Sequence, residues 1–123
     1  METETIYGQV VSKANNYIVA DGKTGRHIVK TGKLKEYEKS FARQCRIYKD
    51  RYINGNFTLY VKVYECSLRY DLDNALKTIL DCLQMVKAIS DDNLCFKIVA
   101  EKRLDRKNPR IEYSIQEHFP RFF

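Results

Sequence analysis

The chain has 123 residues, with 22 Lys and Arg against 16 Asp and Glu, which gives a formal net charge of +6. This length predicts a single domain over residues 1–123, and 44% hydrophobic with 31% charged residues excludes a disordered chain or a coiled coil. No apolar stretch approaches the about 18 residues of a membrane span, and no secretory signal is visible. We therefore expect a soluble, cytoplasmic protein without a membrane partner.

The first third of the chain predicts short strands and one helix. Residues 5–12 and 16–20 have strand character, and a Gly-containing turn leads from the second into 26–30, which predicts a hairpin. Residues 33–49 have the spacing of an amphipathic helix. Its apolar stripe consists of Leu34, Tyr37, Phe41, Cys45 and Tyr48.

A second face of that helix is basic. Its residues follow at steps of four and then three: Lys35, Lys39, Arg43 and Arg46. Such a ridge is suited to phosphate contacts. A solvated helix face paired with Glu36 and Glu38 explains the same spacing equally well.

From residue 57 onward, the sequence predicts three strands and one helix. Residues 57–65 alternate between apolar and polar, as a strand does, and a helix follows at about 73–86. Two more strands are expected at 94–102 and 110–116. The order ββαβαββ indicates an α+β domain with a mixed sheet. The aromatic tail 118–123 is compatible with docking on the domain, docking on a partner subunit, or fraying.

Four cysteines are far apart in the sequence: Cys45, Cys66, Cys82 and Cys95. None forms a C-x-x-C pair, and the chain has only two histidines. Zinc sites usually show closely spaced ligand pairs. We therefore expect free thiols in a reducing compartment.

The positive charge is unevenly distributed. Residues 23–52 carry ten Lys and Arg against three acidic residues, and residues 97–110 carry six against two. Residues 71–92, between them, carry five Asp against two Lys. An acidic cluster between basic flanks suits a protein that binds a polyanion together with a divalent cation. On charge alone, solvated surfaces explain the pattern as well.

The acidic cluster has the spacing of a metal site. Asp71 and Asp73 precede a predicted helix, and an extended backbone places both carboxylates on one side. Lys77 follows Asp73 by one helical turn, and Asp91-Asp92 can return a third carboxylate to the same area. Oxygen ligands of this kind are typical of Mg²⁺. Taken singly, the same residues are explained by a helix cap, an ion pair along the helix and an Asx turn.

The same residues resemble a known family. The run Arg69-Tyr70-Asp71-Leu72-Asp73-Asn74-Ala75-Leu76-Lys77, followed by Leu80-Asp81 and Ile89-Ser90-Asp91-Asp92, is similar to the pattern of the RusA family of Holliday-junction resolvases. The segment Ser12–Tyr17 resembles the family's opening strand and loop, and Lys102 stands where members often carry a Lys. The resemblance spans roughly residues 6–116.

The resemblance implies a fold, an activity and a set of site residues. Members are small, homodimeric, Mg²⁺-dependent endonucleases, often encoded by phages and prophages, that bind four-way DNA junctions in recombination and repair. They nick two strands symmetrically and use no small-molecule cofactor. The residues that match the family's metal-binding aspartates and catalytic lysine are Asp71, Asp73, Asp92 and Lys77. Tyr70 departs from the pattern, because some members carry a basic residue there.

Supporting residues and DNA contacts are expected around this centre. Asp91 and Asn74 are candidates for residues that support the metal ligands. The expected DNA contacts are Arg69, Lys35, Lys39, Arg43, Lys102, Arg103, Arg106 and Lys107. Two alternatives stay open: a metal nuclease acting on flaps, forks or single strands, and a non-catalytic protein that binds junctions. The complete set of three aspartates and a lysine counts against the second.

Overall fold

A computed structural model describes residues 1–12, 17–22 and 25–118, with the backbone alone for 17–22 and 25–29. It confirms the α+β class. The order of strands and helices matches the prediction when the hairpin strand predicted at 26–30 is counted, so that three strands precede the first helix. The elements are β1 (Glu4–Tyr7), β2 (Tyr17–Gly22), β3 (Gly25–Lys30), α1 (Gly32–Gln44), β4 (Phe57–Glu65), α2 (Leu72–Met85), a 3-10 turn (Asp92–Leu94), β5 (Cys95–Leu104) and β6 (Arg110–Glu117).

Four strands form one mixed sheet in the order β1-β6-β4-β5, and β2 pairs with β3 in a separate hairpin. β4 lies antiparallel to β6 and parallel to β5. Parallel neighbours need a crossover connection, and α2 provides it between β4 and β5. As a result, α2 begins at the sheet edge where β4 ends and finishes at the edge where β5 begins.

Local sequence patterns account for β4 and α2. The alternation in β4 buries Leu59, Val61 and Val63 and leaves Lys62 exposed. The apolar residues of α2 pack onto the same core. Its fully buried side chains are Ala75, Thr78, Ile79, Cys82 and Leu83. Leu76 and Leu80, which were also predicted to be buried, are only partly covered.

α1 ends at Gln44, five residues before the predicted end. The next backbone N–H groups do not continue the helix, because they donate to the buried carboxylate of Glu4. The Arg46 and Ile47 N–H groups lie 2.7 and 2.8 Å from Glu4 Oε2, and the Tyr48 N–H lies 3.3 Å from Oε1. Arg46 therefore does not lie on the basic ridge of α1, and the prediction that included it was wrong.

β1 is also shorter than predicted, since it ends at Tyr7 rather than at residue 12. Gly8 has a φ of 114°, a left-handed conformation open to glycine, and its N–H donates to the Pro109 carbonyl at 2.9 Å. Most of the motif segment Ser12–Tyr17, the centre of the hairpin turn and the aromatic tail beyond His118 lie outside the described residues.

Two further features concern the cysteines and the possibility of a membrane-spanning helix. The four cysteines are free. Among the helices that the structure describes, none is both long and apolar enough to cross a membrane.

Candidate functional site

Asp71 and Asp73 lie where the chain enters α2. Asp71 occupies the N-cap position with an extended backbone, but its side chain caps no backbone N–H, and Asp73 lies in the first turn. Both residues are exposed, and neither forms an ion pair within residues 1–12, 17–22 and 25–118. The N-terminal end of a helix favours negative charge. Two acidic residues therefore stand at the start of α2, and neither is neutralised by an ion pair with a described residue.

Asn74 contacts Asp71. Its Nδ2 donates to Asp71 Oδ2 at 3.5 Å, a long hydrogen bond. The supporting role expected for Asn74 stays a prediction.

The loop that carries Asp71 is tied to β5. Lys102 Nζ donates to the backbone carbonyls of Leu68 and Tyr70, at 3.0 Å in both cases. The parallel register places Lys102 opposite Val63 on β4, near the strand end from which the loop departs. Lys102 was expected to contact DNA. In the structure its ammonium group positions the loop of Asp71.

Glu65, the last residue of β4, lies beside the same loop and was not among the predicted site residues. Glu65 is 1% exposed, and its Oε1 accepts a hydrogen bond from Gln9 Nε2 at 3.3 Å. Its Oε2 has no hydrogen-bond partner among the residues that the structure describes. Burial raises the pKa of Glu65, and the negative charge of Asp71 adds to this effect, while Gln9 and Lys102 oppose it. A sequence signal existed, since Glu65 occupies an inward-facing position of an alternating strand.

A cavity of about 80 Å³ lies between Glu65 and the start of α2. Its lining combines residues from both sides of the loop: Val10, Ser12, Glu65, Arg69, Tyr70, Asp71, Asn74 and Ala75. This volume has room for a few water molecules. Three of the sequence-predicted residues thus meet at one cavity, namely Arg69, Asp71 and Asn74.

Lys77 is exposed on α2, one turn after Asp73. Residues four apart lie on the same helix face, so the ammonium of Lys77 follows the carboxylate of Asp73 along α2. The structure thus keeps Lys77 on the side of the helix where Asp73 lies.

Asp91 and Asp92 lie beyond the other end of α2. Asp91 Oδ1 accepts from the Asn93 N–H at 3.0 Å and caps the 3-10 turn, in agreement with an Asx turn. The Asp92 N–H donates to Gln84 Oε1, in the last turn of α2, at 3.1 Å. A hydrogen bond with Asp91 raises the pKa of Asp92, and burial and the negative charges of Asp91 and Asp81 add to this.

α2 separates the two groups of carboxylates. Its 14 residues extend over about 21 Å at the usual rise of about 1.5 Å per residue. Asp71 precedes the helix, whereas Asp92 contacts its final turn. In the described part of the chain, no three His, Cys, Asp or Glu side chains lie close enough to hold one ion. Within one chain, Asp71 and Asp73 belong to the start of α2, where Asp71 lines a cavity with Glu65, and Asp92 lies at the other end of the helix.

The predicted basic residues occupy two surfaces. Lys35, Lys39 and Arg43 are exposed on α1 and form no ion pair with any residue that the structure describes. Glu38, their expected partner, instead binds Lys30 at 2.8 Å. On the second surface, Arg106 and Lys107 are exposed between β5 and β6. Arg103, near the end of β5, forms an ion pair with Glu101.

Comparison with known proteins adds a family match. A family model described as "Endodeoxyribonuclease RusA" matches residues 7–116, which include every candidate site residue. A comparison with curated proteins found no match.

Proposed function

Because the chain belongs to the RusA family of endodeoxyribonucleases, we propose that it resolves four-way DNA junctions by Mg²⁺-dependent hydrolysis of two phosphodiester bonds. Family membership indicates an endodeoxyribonuclease that resolves Holliday junctions. The use of Mg²⁺, the homodimer, the single domain over residues 1–123 and the roles of individual residues are the further parts of the proposal.

The observation that carries the proposal is the pair Asp71 and Asp73. Both carboxylates are exposed and form no ion pair with any residue that the structure describes, and Asp71 lines a cavity with room for water. Mg²⁺ is usually held by one or two carboxylates together with water and substrate phosphate. The donor set at the start of α2 therefore fits this ion. When bound, Mg²⁺ would polarise the scissile phosphate and lower the pKa of a bound water.

The chain's own residues supply orientation and charge. Asp71 and Asp73 hold the ion at the start of α2, and Lys102 fixes the loop before them through its two carbonyl contacts. Lys77, one turn after Asp73, stabilises negative charge that builds up on the phosphoryl group during hydrolysis. Arg69 precedes Asp71 by two residues in the same loop, and it contacts a neighbouring DNA phosphate.

Two basic surfaces hold the arms of the junction. Lys35, Lys39 and Arg43 project from α1 without ion-pair partners in the described chain, which supports phosphate contact over the alternative of a paired helix face. Arg106 and Lys107 extend the contact at the turn between β5 and β6. Such contacts carry no base specificity and fix the position of the duplex.

The homodimer gives Asp92 a role that one chain does not allow. Since Asp92 lies at the opposite end of α2 from Asp71, the two carboxylates of one chain do not share an ion. In the proposed homodimer, Asp92 joins Asp71 and Asp73 of the second copy. Symmetric cleavage of two strands also requires two active sites, which two copies supply.

The proposal is tested by cleavage of a synthetic four-way junction with Mg²⁺. Asp73→Asn keeps the size of the side chain and removes its charge, so we expect cleavage to fall by at least about 100-fold, a loss typical of removing a group that acts in the transition state. Binding to the junction, measured by mobility shift without Mg²⁺, is retained. Unchanged cleavage by this variant would overturn the proposed mechanism.

Asp50→Asn is the matched control. Asp50 is an exposed aspartate in the loop between α1 and β4, and its φ of 62° is one that asparagine adopts readily. The Asp50→Asn variant should cleave the four-way junction at the wild-type rate. A flap and a replication fork, tested beside the junction, distinguish the alternative substrates. Binding without cleavage by the wild-type protein would indicate a non-catalytic junction-binding protein.

A further inference from the structure

We infer that Glu65 is a further carboxylate of the metal site, which accepts a hydrogen bond from a water molecule on the cation and so positions the ion against Asp71. The inference rests on the proposed function, since it requires a divalent cation at Asp71. Glu65 is a positioning residue in this role, because it acts on the ion through water.

The burial of Glu65 has no evident structural purpose. The alternation of β4 places it on the inward side with Leu59, Val61 and Val63, and the residue is 1% exposed. A carboxylate in such a place costs free energy unless both oxygens find partners. Oε2 has none among the residues that the structure describes. An apolar side chain of similar size would fill the position without this cost.

Gln9 holds the carboxylate in one orientation. Its side-chain oxygen accepts the Cys66 N–H at 2.8 Å, and its Nε2 donates to the Val10 carbonyl at 3.2 Å and to Glu65 Oε1 at 3.3 Å. The amide of Gln9 is thereby anchored at both ends. Glu65 is fixed through one oxygen, and the other oxygen remains available for a ligand.

The electrostatic surroundings favour a cation at this place. Asp71 and Glu65 are close enough for the negative charge of one to act on the other, and Lys102 is the positive group that opposes it. The Lys102 ammonium already donates to the carbonyls of Leu68 and Tyr70. A divalent cation beside Asp71 would neutralise the remaining negative charge.

The cavity connects Glu65 to Asp71. Both residues line its volume of about 80 Å³, and liquid water occupies about 30 Å³ per molecule. Since no three acidic, His or Cys side chains of the described chain are placed to hold one ion, Glu65 acts through a water ligand. Residues that orient metal ligands in this way typically change metal affinity by about 10- to 100-fold when they are replaced.

The test is calorimetric titration of the full chain with Mg²⁺, without DNA. Glu65→Gln keeps the length of the side chain and the hydrogen bond from Gln9. We expect Mg²⁺ to bind about 10-fold more weakly to this variant. Its unfolding midpoint without metal should stay equal or rise, because a buried charge with one unpartnered oxygen is removed. If Glu65 has only a structural role, the variant should instead show a lower unfolding midpoint and an unchanged affinity for Mg²⁺.

Two comparison variants separate the possible failures. Glu112→Gln removes a carboxylate that pairs with Arg110 and lies opposite Lys62, away from the cavity, and it should bind Mg²⁺ as the wild type does. If Asp71→Asn loses binding while Glu65→Gln stays within twofold of wild type, the role of Glu65 is wrong and the metal site stands. If Asp71→Asn binds normally, or the wild type binds no Mg²⁺, both proposals fail.

Discussion

Lys102 Nζ donates a hydrogen bond of 3.0 Å to the carbonyl of Tyr70, the residue immediately before Asp71. A second bond of the same length reaches the Leu68 carbonyl. β5 is thereby tied to the loop that leads to Asp71. Lys102 was expected to contact DNA, and the structure shows its ammonium group bound to the backbone just before Asp71.

Replacing Lys102 should reduce catalysis more than DNA binding. Lys102→Met keeps the apolar stem and removes both hydrogen bonds, so the Asp71 loop loses its anchor. Because small displacements of a catalytic group cost up to about 100-fold in rate, we expect cleavage of the junction to fall by about 10- to 100-fold. Lys107→Met, at the exposed turn, should instead weaken binding and lower its salt dependence. Equal behaviour of the two variants would contradict this role of Lys102.

Mixing two inactive variants tests whether Asp92 acts on the partner's site. In a heterodimer of Asp73→Asn and Asp92→Asn, one shared site combines both substitutions and the other contains neither. The mixture should therefore regain nicking of one strand, measured on a junction with labelled strands. Mixing Asp73→Asn with Asp71→Asn should restore nothing, since each site then contains one substitution. If the first mixture also stays inactive, Asp92 does not complete the partner's site.

The α1 ridge should account for part of the salt dependence of DNA binding. Each phosphate contact that is lost lowers the slope of log affinity against log salt by about 0.9. The triple replacement of Lys35, Lys39 and Arg43 by Ala should therefore weaken junction binding and lower this slope by about 2 to 3. Glu36→Gln on the same helix is the control and should leave the slope unchanged. If the slope of the triple variant equals that of the wild type, the three side chains face solvent and do not contact DNA phosphates.

Glu4 should make the free energy of unfolding depend on pH in the acidic range. Burial opposes its charge, but N–H donors from Ile47, Arg46 and Tyr48 and the Tyr113 hydroxyl outweigh this and lower the pKa of Glu4 below its ordinary value. A lowered pKa contributes stability above the ordinary pKa of Glu, which is lost as the pH falls through the folded-state pKa. Urea unfolding at a series of pH values measures this loss.

Glu4→Gln is the comparison for that series. It removes the charge from these hydrogen bonds, so we expect the free energy of unfolding at neutral pH to fall by about 1.5–3 kcal/mol. The difference between the variant and the wild type should shrink as the pH falls below about 4. A constant difference across this range would show that the Glu4 charge does not stabilise the fold.

Most elements of secondary structure follow from local sequence patterns. The strand predicted at 57–65 is observed with the same ends, and the helix predicted at about 73–86 is observed at Leu72–Met85. Both depend on periodicity between neighbouring residues, which is a local property of the chain. The motif around Asp71 likewise indicated the family, because its residues are adjacent in the sequence.

Contacts between distant residues decided where α1 ends and what surrounds Asp71. Glu4 takes up the N–H groups that follow Gln44, and Gln9 orients Glu65, although these partners are far apart in the sequence. Neither contact has a local pattern by which it can be predicted.

Which carboxylates lie close together depends on how the strands pair, and the spacing of the aspartates does not reveal it. Asp73 and Asp92 are close in sequence, and their spacing suggested a single cluster. However, α2 connects two parallel strands and must therefore run the length of the sheet between them. Its two ends, and with them Asp73 and Asp92, lie at opposite edges because the direction of β5 is set by its hydrogen bonds to β4.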